Sequence, residues 1–185
     1  MEGAAARARR SNHHRVTHER LFRSVDFDAL PAGLNLEIHA VLMDEAKQPY
    51  TRLLRTLADP KRRPVAFHCS TGIHRTGTAA AILLSPLGVP WETIRDDYLL
   101  TNVVSKDDTD KALANLRAKA ASASGIEPDN VDMTNVEAFY ILESAYIDMA
   151  LETAEQQYGS MDAYIREGLG ITDAEISALK SALLE

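Results

Sequence analysis

His68-Cys69-Ser70-Thr71-Gly72-Ile73-His74-Arg75-Thr76-Gly77 follows the apolar triplet Val65-Ala66-Phe67 and leads into the apolar run Thr78 to Leu84. The triplet predicts a buried strand and the run predicts a helix, so the stretch reads as a strand-to-helix turn. The first N–H groups of a helix lack intrahelical partners, and the aligned peptide dipoles leave positive charge at that end. A turn of this kind suits a bound anion. Cys69 is the chain's single cysteine, and Arg75 stands six positions after it. That spacing places a thiol and a guanidinium around one phosphate.

The chemistry follows from the placement. The thiolate, not the thiol, is the nucleophile, and a helix N-terminus or a nearby cation lowers a cysteine pKa to about 3.5–7.5. Arg75 supplies the cation, and its planar fork matches two phosphate oxygens at once. Cys69 would attack phosphorus to form a phosphocysteine, which water would then hydrolyse. Backbone N–H groups of Ser70, Thr71, Gly72, Ile73, His74 and Arg75, with the Arg75 side chain, would hold the equatorial oxygens through the transition state. Thr76 is placed to hydrogen-bond the sulfur, and His68 to support the loop from behind. The competing reading of Cys69 is a buried structural thiol. The histidine, arginine and Thr-Gly in register with it favour the phosphate loop.

Composition limits the alternatives. A chain of 185 residues with 45% hydrophobic residues predicts one globular domain, 19–185, behind an Arg/Ala-rich arm, 1–18, expected to be unfolded. A net charge of −7 argues against general affinity for nucleic acid or an anionic membrane. A lone cysteine excludes an internal disulfide and a multi-thiolate zinc site, and Cys69 with His74 is too small a set to hold a metal. No metal or other cofactor is implied. No apolar run approaches the ~18 residues of a membrane span, and the N-terminus lacks the apolar core of a secretory signal. Cytoplasmic placement is therefore expected.

Along the chain, Leu34, Leu36 and Ile38 alternate and predict a short strand. Met43 to Ala58 reads as helical, with Ala46, Tyr50, Leu53, Leu54 and Leu57 on one face and Pro49 at a kink or first turn. Asp59-Pro60 ends it. A helix is expected from Pro90 through Tyr98, a polar one over Lys106–Ala121, a break over Gly125–Asn130, and a long amphipathic helix over Asn135–Gln157. Thr172-x-x-Glu175 is a capping box for the last helix.

His-Cys-x5-Arg followed by Thr-Gly resembles the signature loop of cysteine-dependent protein phosphatases, and the chain is similar to the bacterial protein-tyrosine/serine phosphatases among them. Leu87-Gly88-Val89-Pro90-Trp91-Glu92-Thr93-Ile94 with Asp96-Asp97-Tyr98-Leu99-Leu100-Thr101-Asn102 resembles the family's segment after the loop. Tyr158 to Ile165 with Gly168 to Asp173 resembles its C-terminal end, and Arg20-Leu21-Phe22-Arg23-Ser24 with Leu30-Pro31 its opening. The resemblance implies an α/β fold, with a small, mostly parallel central sheet flanked by helices and a helix-rich C-terminal half. It implies a phosphoric monoester hydrolase. Its substrates would be phosphotyrosine, phosphoserine or phosphothreonine, or a phospholipid headgroup of the phosphoinositide kind.

The chain departs from the family in two places. Family members usually carry Lys-Asp where this loop has Ile73-His74. The Asp-Leu-Arg and acid-loop region normally found after the opening is also shortened here. The proton donor to the leaving group is therefore open among Asp44, His74 and, less directly, Asp26, Asp28, Asp59 and Asp97. Each carboxylate would equally suit a solvated surface position. Two functions remain from the residues: an active phosphatase, or a phosphate-binding pseudophosphatase that keeps the loop without an efficient acid. Rhodanese-like sulfur transfer, which also uses a cysteine in an anion-cradling loop, fits the Arg75-Thr76-Gly77 end poorly.

Overall fold

Asn35, His39 and Met43 are buried at helical spacing, and with Leu34 they lie on an α-helix, not on a strand. The computed structural model describes Phe27, Pro31 and residues 33–184. The expected arm over 1–18, the opening Arg20–Ser24 and the acid candidates Asp26 and Asp28 lie outside the described residues.

Helix α1 runs Leu34–Glu45 and α2 Lys47–Ala58. Pro49 sits in the first turn of α2, where its missing N–H costs no intrahelical bond. Tyr50, Leu54 and Leu57 of α2 are buried and Leu53 partly so, the face expected from their spacing. Asp59 closes α2 and accepts the Lys61 N–H to cap the short 3-10 turn Pro60–Arg62. Helix α3 spans His74–Leu84, beginning inside the loop motif rather than at Thr78. Helix α4 is Trp91–Val104 and α5 Lys106–Ser124, ended by Gly125. The long helix expected over Asn135–Gln157 is two helices, α6 (Thr134–Glu137) and α7 (Ser144–Tyr158), separated by a turn. Helix α8 (Met161–Ala163) continues into a π-helical turn, Tyr164–Gly168, and α9 is Asp173–Leu183. The capping box of α9 is present: Thr172 Oγ1 accepts the Glu175 N–H and the Glu175 carboxylate accepts the Thr172 N–H.

The expected α/β fold is corrected here: among the described residues there is no β-strand and no central sheet. Val65–Phe67 has no regular secondary structure; its exposure alternates, and it pairs with no described neighbour. A strand exists only through its ladder, and one extended segment supplies half of one. The alternation at Leu34, Leu36 and Ile38 falls within this helix, in which Asn35, His39 and Met43 are buried four residues apart.

The described chain divides into two compact units. One comprises Leu36–Leu100 and Glu143–Glu185 and carries the phosphate-loop motif. Its core joins Leu54, Ile82, Ala150, Tyr164, Ile165 and Leu179, all nearly inaccessible. Each buried Leu or Ile contributes about 1.5–3 kcal/mol relative to exposure, so this core fixes the position of α3 and of the loop ahead of it. The Tyr164 hydroxyl donates to the Met43 carbonyl at 2.8 Å within it. The other unit includes Thr101–Leu142 and the described chain up to Asn35. Within it the Asn102 amide clamps Leu142, donating to its carbonyl and accepting its N–H at 2.8 Å each. No helix among the described residues is long and apolar enough to cross a membrane.

Candidate active site

The loop from His68 to Gly77 is built by three local devices. Gly72 has φ +77°, a conformation that side-chain-bearing residues seldom adopt, and it turns the chain back over Cys69. Ile73 is buried and pins the far side of the loop into the core. Gly77 allows α4 to approach: a Cβ there would stand 2.7 and 2.8 Å from Cε2 and Cδ2 of the Tyr98 ring. Gly77→Ala is therefore expected to destabilise the protein by about 1–3 kcal/mol, as overpacking does elsewhere, and to lower its melting temperature. An unchanged melting temperature would show that Tyr98 does not set the loop.

Cys69 is half-buried at the mouth of this turn. The Gly72 N–H donates to its sulfur at 3.2 Å. Burial pushes the thiol up, but hydrogen bonds from the Thr76 hydroxyl and from the N–H groups of Thr76, Thr71 and Gly72 outweigh it. The net result holds the pKa down at about 7. Arg75 is exposed at the rim, with Nη2 at 3.5 Å from Ser70 Oγ. His68 Nδ1 lies 3.0 Å from the Cys69 carbonyl oxygen and donates to it in the Nδ1–H tautomer. The structure thus gathers Cys69, Ser70, Thr71, Gly72, Arg75 and Thr76 about one concave turn, with His68 bracing its entrance. Converging N–H groups, a thiol that ionises near neutrality and a guanidinium at the rim can hold a phosphate and attack it.

The candidate acids separate. Asp44 pairs with Lys47 at 3.0 Å and accepts from Gln157 Nε2 at 3.3 Å. Asp59 caps the Pro60–Arg62 turn, and Asp97 is exposed on α4. His74 alone belongs to the loop itself. Its ring centroid lies 5.5 Å from that of His39.

Two nearby features had no signal in the motif. Tyr50 of α2, buried beneath the loop, carries a hydroxyl without a described hydrogen-bond partner, close to Arg75, Cys69 and the equally unpartnered Thr78. Burial pushes its phenol well above the ordinary range, against the pull of the Thr78 hydroxyl and the Arg75 charge. The second feature is the buried ring cluster of His39, Tyr98 and Tyr146 behind His74. Tyr50 stood on the predicted buried face of α2, but helical spacing alone does not tell a core phenol from one beneath a loop. Among the described residues no group of three or more His, Cys, Asp or Glu side chains is placed to hold a metal ion.

The chain is similar to known proteins. Residues 11–185 match the tyrosine phosphatase family. A Cupriavidus necator protein that carries a tyrosine-protein phosphatase name is 27% identical over 141 residues, which is 76% of this chain and 47% of that protein. The triple specificity protein phosphatase PtpB of Mycobacterium tuberculosis is 28% identical over 131 residues, 66% of this chain and 44% of that protein. The chain thus spans less than half the length of these relatives.

Proposed function

The chain belongs to the tyrosine phosphatase family, and on that premise we propose that it hydrolyses phosphate monoesters through a phosphocysteine on Cys69. The observation that carries the reading is the sulfur held at a pKa of about 7 by converging N–H and hydroxyl donors. In the first step the Cys69 thiolate forms an S–P bond as the P–O bond to the leaving group breaks, and the leaving oxygen takes a proton. In the second, water attacks phosphorus, the S–P bond breaks, and inorganic phosphate departs with Cys69 again a thiolate. Arg75 and the N–H groups from Ser70 to Arg75 hold the non-bridging oxygens in both steps. Thr76 supports the sulfur as it becomes a leaving group in the second step.

The proposed substrates are phosphorylated tyrosine, serine or threonine side chains or a phosphoinositide headgroup. An exposed arginine beside the loop suits such surface groups. The unit proposed to act is 19–185, and a lone reduced cysteine suits the cytoplasm. A second reading, a phosphate-binding pseudophosphatase, draws on the pairing of Asp44 with Lys47 and Gln157.

An aryl phosphate with a good leaving group separates the two. It needs little protonation, so a working Cys69 loop turns it over without an efficient acid. Because the thiolate is the reactive form, kcat/KM for it should rise with pH through about 7, following deprotonation of Cys69. Binding of phosphate or vanadate with no turnover at any pH would favour the pseudophosphatase. Turnover that stays flat from pH 5.5 to 8.5 would remove Cys69 ionisation from the rate. Hydrolysis of alkyl phosphates as well would require a proton donor.

A further inference from the structure

Helix α2 and the chain that leads into the phosphate loop line a groove of about 350 Å³, a volume in the range of ligand-binding clefts. On α2, Gln48, Arg52 and Thr56 stand four residues apart and make a polar row about 12 Å long. Pro49 and Leu53, also four apart, run beside that row. The other wall is Val65-Ala66-Phe67. Leu53, Val65 and Phe67 pack against the core, so the apolar part of the lining is backed by it.

Two observations indicate what the groove takes. The first is charge. Arg52 is exposed, and its guanidinium makes no hydrogen bond or ion pair with another described residue. No carboxylate lines the groove. Lys61, Arg62 and Arg63, all exposed, come just before the Val65 wall along the chain. Of these, Arg62 meets Asp59 at 3.5 Å and Arg63 donates to the Ala182 carbonyl. On a chain with a net charge of −7 this is a local concentration of cations. The second observation is backbone. No N–H or C=O of Val65, Ala66 or Phe67 is hydrogen-bonded to another described residue. Such groups are obligatory hydrogen-bond formers, and a peptide carries matching groups along its length.

We propose that this groove docks a short acidic and apolar peptide segment of a partner protein, with a carboxylate on Arg52 and the peptide backbone hydrogen-bonded to Val65–Phe67. At ~3.3 Å per residue, about four extended residues match the length of the polar row. Side chains alternate along such a segment. Apolar ones then fall on Pro49, Leu53 and Phe67, and acidic ones turn toward Arg52 and the cations of Lys61–Arg63. Gln48 adds an amide that both donates and accepts. Main-chain hydrogen bonds supply affinity in this mode of recognition, and side-chain contacts supply specificity. The site is separate from the chemistry at Cys69, because no residue from His68 to Gly77 lines the groove.

The test uses the full chain and a capped peptide that alternates glutamate with leucine, with a lysine–leucine peptide of the same length as its control. Proton–nitrogen correlation spectra follow the backbone amides as each peptide is added in excess inorganic phosphate, which competes for the phosphate loop. The expected result is a saturable shift of the Val65, Ala66 and Phe67 amides with the acidic peptide and none with the basic one. Arg52→Glu should weaken this binding by about 10-fold or more, since attraction becomes repulsion, and added salt should weaken the parent's binding. Arg52→Gln, which removes only an exposed charge, should cost about 3-fold and serves if the reversed variant does not fold. Circular dichroism reports the fold of each. Aryl phosphate turnover should match the parent's in both, because Arg52 lies outside the phosphate loop. No saturable shift of these amides at millimolar peptide, an equal response to both peptides, or shifts confined to Gly72–Thr76 would each overturn the proposal. Octanoate saturating the same amides where the peptide does not would assign the groove to a small amphipathic acid instead. Self-association abolished by Arg52→Glu, with no peptide binding, would assign it to a second copy, and either result overturns the peptide. A protein without phosphatase activity that still binds the acidic peptide would uphold the groove and count only against the reading of Cys69.

Discussion

Cys69→Ser is expected to abolish aryl phosphate turnover, with a fall on the order of 10^4-fold or more, the scale on which loss of a covalent nucleophile is felt, while phosphate affinity is kept. The physical reason is proton affinity. The Cys69 thiol ionises at about 7 because Thr76, Thr71 and Gly72 donate to its sulfur. A serine hydroxyl in the same cradle stays protonated at any working pH and attacks poorly. The cradle itself is unaltered, since the turn is made by Gly72 and anchored by Ile73. Phosphate or vanadate binding, followed by calorimetry, should therefore change little, and the melting temperature should hold. Turnover close to the parent's would remove Cys69 as the nucleophile.

Arg75→Lys keeps the charge and loses the fork. It is expected to lower kcat by about 10^2–10^3-fold, comparable to removing one preorganised donor from a transition-state site. Arg75 stands at the rim beside Ser70 Oγ, where a guanidinium can span two phosphate oxygens with two parallel N–H donors. An ammonium on a flexible stem reaches them as a point charge and must be ordered at each turnover. If simple charge attraction were the whole role, the lysine variant would retain nearly normal kinetics at low salt. That result would contradict the clamp.

These expectations come from the part of the molecule that the sequence exposes most clearly, because a phosphate loop is local. Cys69, Gly72, Arg75 and Thr76 lie within one turn, so their spacing alone determines how they meet. The buried face of α2 and the Thr172–Glu175 capping box were legible for the same reason: helix faces and caps depend on residues three and four apart. The sheet was not legible. Val65–Phe67 has the composition of a strand, but pairing is a property of two segments, and the described chain offers no second one. At Leu34–Ile38 three residues satisfied a two-residue period, but the segment is helical, and its buried Asn35, His39 and Met43 recur every four residues. The break between α6 and α7 was hidden because the apolar pattern runs on across it.

The surroundings of the loop were hidden by distance along the chain. His39 has no sequence relation to His74, and only the packing of α1 brings it near; Tyr146 of α7 in turn meets His39. Tyr98 stood within the segment that resembles the family, yet its reason for being there appears only in the contact with Gly77. The Thr-Gly that closes the motif is thus as much a packing requirement as a chemical one. Thr76 serves the sulfur, and Gly77 makes room for the ring that also touches His39.

The central claim is a covalent phosphocysteine on Cys69. Mixing the protein with an aryl phosphate, quenching in acid within milliseconds and mapping the phosphoryl group by peptide mass spectrometry addresses it directly. The account predicts a phosphoryl adduct on the Cys69 peptide that appears with the first turnover and disappears as substrate is exhausted. Turnover with no adduct on Cys69, or an adduct on another residue such as His74, would contradict it.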